Sequence, residues 1–288
     1  MTAQDLPPCE YCGHAIPASA DRCPHCGRPG LFPNVRMAEL PAEVDALKTR
    51  YQAARAAAAT KSNGGALADF ETAVLGAGVS IARPLTELLR LASSENELYA
   101  SYYQLIEAGV RLPKGDKWDS LRGVADSALF PGYRQQIKFA ALTLDDQGLS
   151  NYGECSIFFK ESMIAHRASM FEENSVLFVI RKDVSMKDAS NLPMGFRASW
   201  AERASLCVAK LADRLTSSTT RDQFPAVLMK QGDTSDDDEF VEVHIFGPLT
   251  VRSIERVTFF SQAGGNPLFG AVKEKLQQFN IEVREWTR

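Results

Sequence analysis

Two Cys-x-x-Cys pairs, "CEYC" at 9–12 and "CPHC" at 23–26, stand ten residues apart at the front of this 288-residue chain, with no comparable pattern after them. Each tight turn directs two thiolates at one ion, and Zn²⁺ accepts four such ligands tetrahedrally. Gly13 and Gly27 follow the second cysteine of each pair, where a knuckle turn needs a residue that tolerates positive φ. The expectation is a zinc ribbon over residues 1–30 with Cys9, Cys12, Cys23 and Cys26 as ligands. The competing readings are a redox dithiol, which needs only one pair, and substitution of His14 or His25 for a cysteine. Four sulfur ligands leave no open coordination position, so the zinc is structural. A segment of about thirty residues cannot bury a core unaided, and metal binding supplies the folding free energy. Ribbons of this kind bind protein or nucleic acid, and the spacing does not separate the two.

The remaining cysteines, Cys155 and Cys207, sit alone in apolar surroundings and read as small buried hydrophobes rather than a disulfide framework. A formal net charge of −4 gives no global reason to bind nucleic acid or membrane. No stretch reaches the roughly eighteen apolar residues that span a bilayer, and the N-terminus lacks a signal-peptide pattern. A cytoplasmic protein without a membrane partner is expected.

"RPGLFPNVR" (28–36) reads as a Pro- and Gly-rich linker, followed by helices at 38–60, 66–75 and 84–91. Residues 31–95 are thus expected to form a linker and helical segment, with an α+β domain over 96–288. In that domain helices are expected at 96–109, 118–129, 199–215 and 267–279. Strands are expected at 136–144, 152–159, 175–180, 240–246 and 256–260, where runs are short, β-branched or aromatic and bounded by turn residues. The acidic run at 233–239 reads as a solvated turn.

No Walker loop, dinucleotide fingerprint or Ser-His-Asp order is present. Chemistry is sought instead in "EFVEVHIFGPLTVRSIERVTFF", where a period of two puts Val241, Val243 and Ile245 on one face and Phe240, Glu242, His244 and Phe246 on the other. A carboxylate between aromatic neighbours fits the wall of a partly apolar cleft. His244 reads as a pocket wall or a hydrogen-bonded structural histidine, and Arg167 as solvated, paired or functional.

This stretch, together with "YGECSIFFKESMIAHRASMFEENS" (152–175), resembles the central and final strands of ADP-ribosyltransferase-like domains, most of all bacterial, toxin-related members. The resemblance implies a split β-sheet domain that holds NAD in a cleft and breaks its nicotinamide–ribose bond. Glu242 then matches the catalytic glutamate, which stabilises an oxocarbenium-like transition state. Tyr152 and Gly153 match the position that shapes the nicotinamide pocket, His244 borders it, and Arg167 is placed to contact the diphosphate. The family's early-strand Arg or His has no clear counterpart; Arg90 and Arg111 lie in the right interval. Arginine-modifying members carry Gln or Glu two residues before the catalytic glutamate, and Phe240 in that place disfavours an arginine acceptor. The implied function is mono-ADP-ribosylation of a protein or nucleic-acid acceptor in a toxin or defence setting, with a cognate inhibitor as a further partner and the ribbon as a targeting module. A hydrolase acting on NAD would share the site, and a non-enzymatic zinc-ribbon adaptor or nucleic-acid-binding protein is the alternative of different class.

Overall fold

A computed structural model describes residues 8–17, 19–109, 117–182 and 192–286. Its centre is one eight-stranded sheet: β1 (Gly78–Arg83), β2 (Ile137–Thr143), β3 (Cys155–Phe159), β4 (Ala168–Phe171), β5 (Arg197–Ser199), β6 (Glu242–Phe246), β7 (Ile254–Phe259) and β8 (Glu282–Glu285). The spatial order is β5-β4-β6-β2-β1-β3-β7-β8, antiparallel throughout except for the β7–β8 edge. The expected mixture of helices and sheet is therefore present. Among the described residues no helix is long and apolar enough to cross a membrane.

The alternation in β6 sorts the two faces as the sequence predicts. Val241, Val243 and Ile245 join Val79, Ile81, Ile157, Val257 and Phe259 in the main apolar cluster. Helices α2 (Pro41–Thr60), α3 (Gly64–Leu75), α4 (Leu85–Leu91), α9 (Arg203–Leu211) and α11 (Phe269–Gln278) contribute Leu47, Phe70, Leu88, Leu206 and Leu276 to that cluster. On the opposite face, Ile137, Phe171 and Phe246 form a smaller cluster with Leu129, Phe130, Tyr133 and Phe178. It is covered by α1 (Pro33–Ala38), α6 (Lys117–Leu129) and α8 (Ser175–Arg181). Of the shorter helices, α5 (Tyr102–Glu107) starts at a Ser101 capping box, α7 (Glu161–Ile164) follows β3, and α10 (Phe224–Leu228) adds Phe224 to the main core.

Several expectations are corrected. Residues 175–180 form helix α8, not a strand: Asn174 Oδ1 accepts from the backbone N–H groups of Val176 and Leu177, a side-chain cap that starts a helix. The presumed linker contains α1, all six residues of which are buried. Segment 31–95 is not a helical layer ahead of the sheet, because its β1 lies near the middle of it. The strand placed at 152–159 begins only at Cys155, and Tyr152 and Gly153 belong to the turn before it. β1, β4, β5 and β8 were not expected. Cys155 and Cys207 are fully buried free thiols, as read.

One irregularity dominates the sheet. β1 pairs with β2 only from Gly78–Ser80 against Thr143–Ala141, whereas β1 stays paired with β3 through Arg83 and β2 with β6 down to Ile137. The C-terminal half of β1 and the N-terminal half of β2 thus diverge and leave a cleft inside the sheet. Gly153 lets the chain cross over the end of β1: an added Cβ would lie 2.1 Å from the carbonyl carbon of Arg83 and 2.5 Å from Pro84 N. Gly153→Ala is expected to destabilise the fold by about 3 kcal/mol or more. Gly264→Ala, with open space around the new methyl, should stay within about 0.5 kcal/mol of the parent. Urea midpoints of the two variants measured side by side check this.

Candidate functional site

The N-terminal cysteines form two near-identical knuckles. In the first, Cys9 N–H donates to His14 O and Gly13 N–H to Cys9 O; in the second, Cys23 N–H donates to Arg28 O and Gly27 N–H to Cys23 O, all at 2.8–2.9 Å. Gly13 and Gly27 have φ of 71° and 68°, the left-handed region expected of them. The four Sγ atoms lie within 4.8 Å of one another, with Cys9–Cys26 at 3.6 Å and Cys12–Cys23 at 3.5 Å. A tetrahedron of Zn–S bonds at ~2.3 Å has S···S edges of about 3.8 Å, so the set fits a zinc ion. Cys9, Cys12, Cys23 and Cys26 are thus positioned to hold a metal. The rings of His14 and His25 stack at 3.6 Å beside it.

The sheet's cleft opens into a cavity of about 630 Å³, a volume suited to a small organic ligand. Glu242, at the first position of β6, lines it and is only 2% exposed. Its Oε2 accepts from Ser175 N–H at 3.1 Å and is 2.9 Å from His244 Nε2. Among the described residues Oε1 has a single long contact, 3.5 Å from Asn174 Nδ2. One oxygen is therefore anchored and the other holds acceptor capacity in reserve. His244 sits one layer behind, wedged among Phe130, Phe139 and Phe171 at ring distances of 4.7, 5.5 and 6.3 Å. It does not line the cavity; its ring nitrogen orients the carboxylate.

Among the described residues three cationic side chains also line the cavity, and Arg122 among them lies within the field of Glu242. Arg83, at the end of β1, pairs with Glu87 at 3.1 Å and covers the Tyr99 ring at 5.2 Å. Arg122, on α6, stands 5.5 and 5.7 Å from the ring centres of Tyr102 and Phe139, within the fields of Asp126 and Glu242. Lys138 on β2 is buried, with one long bond from Nζ to Gln136 O at 3.3 Å. Burial and the nearby Arg167 push its pKa down to about 8. Behind Arg122, Asp126 is fully buried and accepts from Tyr103 Oη at 2.6 Å. Burial pushes Asp126 up to about 7, although Arg122 and the Tyr103 hydrogen bond favour its ionised form. Walls that combine aromatic rings, cations and one buried carboxylate suit a ligand with flat rings and anionic groups.

Other site residues predicted from sequence fall differently. Tyr152 lines the cavity and its hydroxyl donates to Ser235 O at 3.3 Å, while Gly153 serves the chain crossing described above. Arg167 does not line the cavity: its guanidinium donates to Met163 O, Phe246 O and Pro248 O at 2.7–2.9 Å and ties the end of β6 to the turn before β4. Arg90 is paired with Glu97, and Arg111 lies outside the described residues. Arg83, Arg122 and Asn174 were missed. For Arg83 a signal existed, since "GVSIARP" alternates small and apolar residues between Gly78 and Pro84, a short strand stopped by proline. A scan against protein-family models and a search of curated proteins find no match to this chain.

Asp126 gives the site a pH signature. Its folded pKa is raised above the usual 3.8, so its protonation favours the fold at low pH. That stability is full below about pH 4 and is lost as pH rises to about 7. Asp126→Asn should therefore gain stability relative to the parent across this interval, by up to about 1.4 kcal/mol per pH unit. Urea unfolding at pH 5, 6 and 7 measures it.

Proposed function

We propose that the chain is an ADP-ribosyltransferase that cleaves NAD at the nicotinamide–ribose bond and passes ADP-ribose to a macromolecular acceptor. The observation that carries this reading is Glu242: a buried carboxylate at the start of a central strand, on the wall of the cavity where the sheet splits, with one oxygen anchored and the other lightly engaged. Two further features support it. The divergence of β1 from β2 supplies the kind of split sheet that the sequence resemblance implies. Arg83 ends β1 and lines the cavity, so on this reading it takes the role of the family's early-strand arginine in place of Arg90 or Arg111.

On this reading Glu242 Oε1 accepts a hydrogen bond from the ribose 2′-OH, and its charge stabilises the oxocarbenium-like ribose as the C–N bond breaks. The bonding electrons leave with neutral nicotinamide. The acceptor's nucleophile then attacks the ribose C1′ and loses its proton. Arg83 and Arg122 supply positive charge for the diphosphate, and Tyr152 forms part of the wall against the nicotinamide. Phe240, buried at the cavity, offers no carboxylate or amide to orient a guanidinium, which leaves other protein side chains or a nucleic acid as acceptor. Water in place of that acceptor would make the same site an NAD hydrolase. A toxin or defence role with a cognate inhibitor follows from the resemblance alone.

The test is nicotinamide release from NAD by the zinc-loaded protein, with and without whole-cell extract, beside Glu242→Gln. The expected loss in the variant is about 100-fold or more, with its circular dichroism unchanged. Turnover equal to the parent's would remove Glu242 from the mechanism, and no release or NAD binding under any condition would remove the reading.

A further inference from the structure

The ribbon does not hang on a tether. Arg36 of α1 is 1% exposed, and its guanidinium donates to three carbonyl oxygens of the ribbon: Ile16 at 3.3 Å, Pro17 at 2.9 Å, and Ala20. These carbonyls belong to the loop between the two cysteine knuckles. The ribbon also meets the loop after α6, where a Cβ on Gly132 would lie 3.1 Å from Ser19 Cβ.

Two residues before Arg36, Asn34 is equally buried and reaches the opposite way. Its Nδ2 donates to His244 O at 2.9 Å, to Arg167 O at 3.1 Å and to Ser169 Oγ at 3.1 Å. Two of these partners are carbonyls and can only accept, so the amide's orientation is fixed. His244 and Ser169 face each other across the β4–β6 pair. The same His244 holds Glu242 through its ring nitrogen. Phe32, just before α1, packs on Phe246 and His166 at 5.4 and 5.7 Å.

We infer that Asn34 is a positioning residue for the Glu242–His244 pair and that the ribbon is the clamp that seats it, so that the metal state of the four cysteines is felt at the cavity. The link stands on these contacts alone; its consequence for NAD turnover rests on the function proposed above. Without zinc the 13–22 loop loses its fixed ends, Arg36 loses its ordered carbonyls, and α1 is no longer held against β4 and β6.

The experiment uses the full chain with ¹⁵N-labelled histidine, whose four ring signals belong to His14, His25, His166 and His244, combined with amide hydrogen exchange. Chelation of zinc should shift or broaden the His244 signals and raise exchange of the 242–246 amides ten-fold or more, while α9 and α11 stay protected; added zinc should reverse both changes. Zinc-loaded Asn34→Ala should retain its metal and the ribbon signals of His14 and His25, yet show the same change at His244. Nicotinamide release should then fall ten-fold or more in kcat, with KM for NAD within about two-fold of the parent. An unchanged His244 after His14 and His25 report metal loss would overturn the inference. So would loss of protection throughout the sheet, which would make the ribbon a general stabiliser, or an Asn34→Ala variant indistinguishable from the parent at His244. If the zinc-loaded parent releases no nicotinamide, the NAD reading fails while the histidine signals still decide the coupling.

Discussion

The parting of β1 from β2 after Ser80 is the constraint on which the site depends. A closed ladder would fill the centre of the sheet with backbone hydrogen bonds and leave no internal space. Two strands can part in this way because each keeps a partner on its other side, β3 for β1 and β6 for β2. Most backbone pairing is retained, and the edges turned towards the cavity carry donors and acceptors that a ligand can satisfy. Glu242, at the start of the strand flanking β2, is thereby beside a void without being exposed to bulk water.

Several buried polar groups away from the void need specific partners, and the fold supplies these as backbone carbonyls. Arg36, Asn34, Arg167 and Lys210 each donate to carbonyl oxygens rather than to carboxylates. A carbonyl satisfies a donor without placing a full negative charge nearby. Glu242, on the cavity wall, is likewise held by a backbone N–H and the His244 ring, and no arginine hydrogen-bonds it among the described residues.

The cysteine ribbon and the face alternation of β6 were legible because both are local: four thiols at fixed spacing, and a period of two over seven residues. The failures share a cause. "SVLFVI" is a short, continuous apolar run that suits a buried strand or a buried helix equally, and the deciding feature is the Asn174 cap one residue before it. "ASMF" has one polar residue and no β-branched one, and it becomes β4 through pairing with β5 and β6. "RPGLFPNVR" carries the composition of a linker, yet Asn34 and Arg36 are buried because their acceptors arrive from opposite ends of the fold, some 130 to 210 residues away in one case and about 20 in the other. Arg167 was expected at a diphosphate, but its guanidinium lies off the cavity and binds three carbonyls, which no spacing rule announces.

The burial of α1 changes what counts as a part of this molecule. Composition invites a cut after the second cysteine pair or at the end of the helical stretch, as if a self-contained domain began there. The first cut would take from Arg36 the carbonyls it binds, and the later one would strip α1 from the smaller core, baring Phe246 and the backbone of His244, and remove a central strand. The metal module and the sheet are joined through α1: a ribbon put in place of this one would have to present carbonyls to Arg36 while Asn34 stays on His244.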